Sequence, residues 1–562
     1  MATRGKAFAI LTAIAVIVFA LVYFGIQWTS NWGKTDKEVT AENAAERLDK
    51  LYRRISVTAA EPVKGQIDLD PASVADSLPD ISKYPVSVEA TTSSFVEIFS
   101  STEKSGTGND GWLNEVAEAF NAANIEVNGQ PASVRIRNIA SGTATDYIRS
   151  GKYVPDAFTP SNELWGEMVK AEGAPIELVA QRLVGNVAGI VTSKEKYEQL
   201  VDKYGAVNVK TITDAIASGE LAMGYTDPFA SSTGLNFLVT ALSTFDSANL
   251  LGEQAVQGFE RFQANVPFIA STTLQMRDAA KTGMLDAFVL EYQQFENSPD
   301  LKGGYVFTPF GVRHDSPLFA LGQPSAVKLE ILNKFAEFAM QESYQKLAGD
   351  RGFNGLEDYR SEVAPVDGHL LASAQKLWKE KKNGSKPISA VFVADVSGSM
   401  EGDPLKRLKE SLHNGQKYLG RDNRIGFVSY SDTVTINVPI GKYDTNQQSL
   451  LIGAIDSLQA GGGTATFDGI VVAIKLLQDD LAANPDAKPL IFVLSDGETN
   501  QGHSLEDIRS LIETYRIPIY TIGYNANIQA LQSISSINEA ASINADTDDV
   551  IYKIGNLLNV QM

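Results

Sequence analysis

Val391-Phe392-Val393-Ala394-Asp395-Val396-Ser397-Gly398-Ser399-Met400 reads as a buried strand that runs into Asp-x-Ser-x-Ser. The apolar run of β-formers shows no polar alternation, the pattern of a parallel strand covered on both faces. The polar triplet then falls on the loop at the strand's carboxyl end, where open α/β sheets place their ligands. One carboxylate and two hydroxyls at alternate positions offer hard oxygen donors from one short loop. Such donors suit Mg²⁺, Mn²⁺ or Ca²⁺ and not Zn²⁺. Taken alone, the triplet is equally well a turn closed by an Asx hydrogen bond.

Two further segments add to it. Gly461-Gly462-Gly463-Thr464 lies between two helical stretches, and its glycines let the loop approach other backbone closely. Pro489-Leu490-Ile491-Phe492-Val493-Leu494-Ser495-Asp496-Gly497 is a second buried strand that ends in a carboxylate. Asp395, Ser397, Ser399, Thr464 and Asp496 thus follow one another in α/β order. With the flanking strands Arg424–Ser431 and Ile519–Gly523, residues 386–562 resemble the von Willebrand factor type A (VWA) domain, a Rossmann-like doubly wound fold with a metal-ion-dependent adhesion site. The resemblance implies that Ser397 and Ser399 bind the metal directly. It implies that Thr464 does so in the ligand-competent state, and that Asp395 and Asp496 act mostly through metal-bound water. An acidic side chain of a partner protein then completes the coordination of Mg²⁺ (or Mn²⁺ or Ca²⁺). That is binding and not catalysis, because no general base is recognisable beside the metal.

The amino terminus bears on location. Arg4 and Lys6 precede an uncharged, mostly apolar run from Ala7 to Trp28, long enough to span a bilayer at about 20 residues per crossing. A cleaved signal has a shorter apolar core, of about 7–15 residues. Tyr23, Phe24 and Trp28 are aromatic residues of the interface type, and no Ala-x-Ala site follows. The expectation is an uncleaved transmembrane anchor over 7–28, with a cytoplasmic amino terminus and the bulk of the chain outside the cytoplasm. The absence of cysteine excludes disulfides, thiol chemistry, Cys-ligated zinc and a lipid-modified cysteine. A net charge of −20 argues against nucleic acid as a partner and keeps an exported body soluble.

Residues 33–85 read as a stalk helix, with Val39, Leu48, Leu51 and Ile55 at loose 3–4 spacing, followed by a Pro-rich linker. The region 90–355 is long enough for a two-lobed α/β domain. Val96–Phe99, Val134–Arg137, Pro155–Ser161 and Leu221–Pro228 each read as a strand that leads to Ser or Thr at a helix start. Such ends either cap the helix or bind an anion. A strand over Gly283–Val289 and an amphipathic helix over Leu332–Phe353 follow. Together, residues 92–355 resemble bacterial extracellular solute-binding proteins of the molybdate- and phosphate-like class, the type II periplasmic-binding fold. The resemblance implies that Ser101, Thr143, Ser161 and Ser232 hold a small solute or oxyanion between the lobes. Glu103–Asp110 reads as an insertion beside the first loop, and its acidic residues would repel an oxyanion. Residues 356–385 read as a linker with an exposed helix. The whole is expected to be a membrane-anchored extracytoplasmic binding protein. The alternatives are a solute-binding component or sensor of a transport system and, third, a metal-dependent hydrolase.

Overall fold

The computed structural model describes residues 41–67, 78–270, 273, 276–277, 285–361, 363–383, 386–497, 499–524, 528–535, 542–544 and 550–562. The expected transmembrane segment, 7–28, lies outside the described residues. Among the described residues no helix is long and apolar enough to cross a membrane.

The described chain opens with a helix, Ala41–Tyr52, and a short strand, β1 (Val57–Ala59). Ala44, Leu48, Leu51 and Ile55 recur at helical spacing and are all buried. A helix of this length is marginal alone and is stabilised by packing of its apolar face. The face packs into the C-terminal domain, against Val391, Val393, Ile470 and Ile508. This corrects the expected stalk and linker: residues 41–67 are part of the C-terminal domain. Gly65 seals the attachment, its N–H donating to Ser449 O at 2.8 Å and its carbonyl accepting from the Ser449 hydroxyl at 2.7 Å.

The central domain has two sheets. The first is built from β2 (Val86–Val88), β3 (Ser94–Ser100), β4 (Glu126–Val127), β5 (Gln130–Asn138), β6 (Ala157–Thr159) and β7 (Ile176–Ala180). The second contains β8 (Val187–Ser193), β9 (Met223–Thr226), β10 (Phe268–Ala270), β11 (Ala287–Glu291) and β12 (Tyr305–Arg313). The chain then returns as β13 (Leu318–Leu321) to pair with β6 and β7. The strand orders are β2-β5-β3-β6-β13-β7, with β4 on β5, and β10-β9-β11-β8-β12. Two crossings, near residues 181–186 and 314–317, therefore join the lobes.

Two expectations are corrected here. The single helix over Leu332–Phe353 is two helices, Ala326–Ala339 and Glu342–Asp350, broken at the extended residue Gln341. The break lets Tyr344 O accept the Trp112 indole N–H at 2.9 Å. The linker 356–385 holds the helix Gly368–Lys381, started by Asp367, whose carboxylate accepts from the His369 and Leu370 N–H groups. That helix is not an exposed one. It buries Leu371, Ala374 and Trp378 in the core of the central domain, and the Trp378 indole donates to Tyr225 Oη at 2.6 Å.

The C-terminal domain follows with β14 (Ile388–Asp395), β15 (Arg424–Tyr430), β16 (Val434–Lys442), β17 (Lys488–Ser495), β18 (Ile519–Gly523) and β19 (Ser542–Asn544). The order is β1-β16-β15-β14-β17-β18-β19. Every residue of β14 is buried. Ala390, Phe392 and Ala394 enter one core, and Val391 and Val393 the other, so both faces must be apolar. Because β1 precedes the central domain in sequence, the central domain is an insertion within the C-terminal one.

Candidate metal centre and the central cleft

β14 and β17 are parallel neighbours, so their carboxyl ends lie side by side. Asp395 closes β14 and is wholly buried. Its Oδ1 accepts the Ser397 N–H at 2.8 Å. Its Oδ2 accepts the Ser495 hydroxyl at 2.7 Å and the Tyr430 hydroxyl at 3.2 Å. Ser495 and Tyr430 end the two strands that flank β14, with Tyr430 in register with Asp395. Sequence reasoning missed both. The signal was their place as the last residue of each neighbouring strand.

The glycine loop joins the same edge. Gly398 N–H donates to Gly462 O at 3.0 Å, and Gly461 N–H donates to Val396 O at 2.8 Å. Gly462 has φ +84°, and a Cβ there would lie 2.4 Å from an Asp432 carboxylate oxygen, so both conformation and space require glycine. Thr464 is held next to it, its N–H on Asn500 Oδ1 at 2.9 Å and its carbonyl accepting from the Asn500 and Gln501 N–H groups. Asn500 is a further positioning residue that the sequence did not single out.

Burial pushes the Asp395 carboxyl above its ordinary range, and the negative charge of Asp496 adds to this, while hydrogen bonds from Ser397 and Ser495 oppose it. Neither carboxylate pairs with a Lys, Arg or His among the described residues. A buried carboxylate without a counter-charge is costly, and a bound cation is one way to offset it. The donors on hand are oxygens only. The Ser397 and Ser399 hydroxyls stand 3.0 Å apart. That separation matches neighbouring ligands of an octahedral Mg²⁺, about 3.0 Å for bonds of about 2.1 Å. Among the described residues no group of three or more His, Cys, Asp or Glu could hold a metal. This edge has two carboxylates and depends on hydroxyls for the rest.

In the central cleft the expected ligand residues make hydrogen bonds within the chain. The Ser101 and Ser161 hydroxyls both donate to the Glu103 carboxylate. The Lys104 ammonium is wholly buried and donates to Ser101 Oγ, to Thr159 O at 2.8 Å and to Pro160 O at 3.2 Å. Burial brings its pKa down to about 8 against the opposing attraction of Glu103 and Glu291. Two of the four expected ligand hydroxyls are thus engaged by a carboxylate of the chain itself. Ser232 Oγ accepts the Trp165 indole N–H at 2.8 Å. Thr143 is buried in the first turn of the helix Ser141–Ser150, next to Gly142, whose N–H donates to Ala230 O at 3.2 Å.

The segment expected to be an insertion also ties the lobes together. Gln293 Nε2 donates to Asp110 Oδ1 at 3.0 Å, and Asn109 Nδ2 donates to Asn297 Oδ1 at 2.7 Å. Deeper in the cleft, His314 bridges Asn162 of one lobe (3.0 Å) and Glu291 of the other (2.9 Å).

Comparisons with known proteins agree with this architecture. Residues 105–354 match the family model of the bacterial extracellular solute-binding protein, and residues 390–555 match that of the von Willebrand factor type A domain. The chain therefore joins a solute-binding-protein-like domain to a VWA domain. An uncharacterized protein of Synechocystis sp. is 27% identical over 177 residues, 31% of this chain and 41% of that protein. Inter-alpha-trypsin inhibitor heavy chain H3 of Bos taurus is 28% identical over 178 residues, 29% of this chain and 20% of that one. The chain thus spans less than half the length of these curated relatives. Among solved structures, a periplasmic thiamin binding protein aligns with a TM-score of 0.38 and 11% identity, over 52% of this chain and 99% of that one.

Proposed function

We propose that this protein is a membrane-anchored extracytoplasmic binding protein that captures an acidic side chain of a partner protein at a divalent-metal site on the VWA sheet. The observation that carries the reading is the buried Asp395 carboxylate, which lacks a cation partner among the described residues and sits among oxygen donors. Ser397, Ser399 and Thr464 are the hydroxyl ligands in this reading. Asp395 and Asp496 hold the charge balance, and Ser495 and Tyr430 orient Asp395. Bound Mg²⁺ supplies a positive centre for a partner's carboxylate. The apolar run 7–28 behind Arg4 and Lys6 supports the anchor and the outward orientation.

Calorimetric titration of the full chain with Mg²⁺ tests the site. Wild type takes up the ion, and Asp395→Ala weakens uptake by roughly 10-fold or more. Equal uptake by the two proteins would refute the assignment.

A second reading, a solute-binding component of a transport system, rests on the family of the central domain. The occupied Ser101 and Ser161 hydroxyls weigh against a small oxyanion as its ligand in the conformation described.

A further inference from the structure

The amino-terminal ends of β14, β17 and β18, opposite the metal edge, face the central domain. Between them and the loop before β10 lies a cavity of about 320 Å³. Lys382, Lys488 and Arg516 line it, and among the described residues no Asp or Glu does. This is notable in a chain with 68 acidic residues and a net charge of −20. Neither Lys488 nor Arg516 has an ion-pair partner among the described residues. Lys382 is buried and donates to Val560 O of the C-terminal helix Val550–Gln561.

The cations also act on one another. Burial and then repulsion from Lys379 and Lys488 hold the Lys382 ammonium well below its ordinary pKa, and burial followed by Lys386 lowers Lys488. The carboxylate that opposes this at Lys382 is Asp227, itself wholly buried and raised to about 6. Asn265, whose Nδ2 donates to Ala217 O at 3.1 Å, and Asn383 also line it, while Pro267, Leu490 and Tyr520 give it an apolar side. Like charges held together around a cavity are stabilised by a bound anion.

We propose that this interdomain cavity binds a small organic dianion, a phosphate-monoester-like group on an apolar body. Lys488 and Arg516 suit a doubly charged head, with the planar Arg516 guanidinium able to pair two of its oxygens. The apolar wall accepts the body. The site is independent of the metal edge, so either assignment stands if the other fails.

The probe is phenyl phosphate, with inorganic phosphate and benzoate for comparison, titrated into the full chain by calorimetry and melting. Phenyl phosphate binds and raises the melting temperature, as linkage requires. Inorganic phosphate and benzoate bind more weakly, the one lacking the apolar body and the other the second charge. Lys488→Gln with Arg516→Gln weakens phenyl phosphate at least tenfold while Mg²⁺ uptake is unchanged. Arg516→Gln alone, at an exposed side chain, moves affinity the same way and guards against misfolding of the pair. No binding of phenyl phosphate at millimolar concentration, or equal affinity in the variants, overturns the proposal. Equal binding of inorganic phosphate overturns its organic part.

Discussion

Asp395 is held by three strand ends. Its own strand places it, and Ser495 and Tyr430 reach it from the strands on either side. The five oxygen-bearing residues named from sequence could be read there because each lies at or just beyond a strand end or follows a glycine turn. Their supports could not be read, because a serine before an aspartate looks like part of the same loop. In the structure Ser495 donates to Asp395 Oδ2, and the charge of Asp496 acts on the same carboxylate. A residue that orients a metal ligand is worth about 10–100-fold in metal affinity. Ser495→Ala should therefore lower Mg²⁺ affinity by roughly that factor with the far-UV circular dichroism spectrum unchanged. A variant that binds Mg²⁺ as wild type does would remove Ser495 from the site.

The helix Ala41–Tyr52 shows what an element's pattern specifies and what it leaves open. Apolar residues at 3–4 spacing predict the helix and its buried face. They do not name the surface that buries it. The structure places the face against β14 and the helix Thr466–Ala483, more than 300 residues away in sequence. Truncating a buried leucine costs about 2–5 kcal/mol. Leu48→Ala should thus lower the melting transition of the C-terminal domain, which carries the proposed metal site, followed by loss of Mg²⁺ binding on heating. A freestanding stalk would leave that transition where it was.

For the whole molecule, the insertion of one domain into another sets the geometry. The chain passes between the C-terminal and central domains twice, after residue 67 and again after the buried helix Gly368–Lys381. Its cleft is crossed by the 103–110 segment, with Glu103 on two of the serines proposed to hold a solute. Replacing Glu103 frees those hydroxyls beside Lys104 but removes the stronger of the two carboxylates that attract the lysine, leaving Glu291. Glu103→Ala should melt lower than wild type without ligand. It should then gain stability with molybdate or sulfate, by roughly 2–4 °C per kcal/mol of linked binding, where wild type gains none. A wild-type shift equal to the variant's would show that Glu103 does not occupy the cleft in solution.

The sequence by itself determined the two α/β domains, their order and the oxygen-bearing edge of the C-terminal sheet. Those features rest on local patterns: buried parallel strands, glycine turns and Ser or Thr at helix starts. Only the tertiary structure decided that residues 41–67 complete the C-terminal domain, that Gly368–Lys381 is core, and that the Ser101 and Ser161 hydroxyls donate to Glu103. The reason is that periodicity records which face of an element is buried, whereas its partner is set by packing between segments far apart in the chain. A side chain's hydrogen-bond partner is likewise fixed only when both groups have been placed.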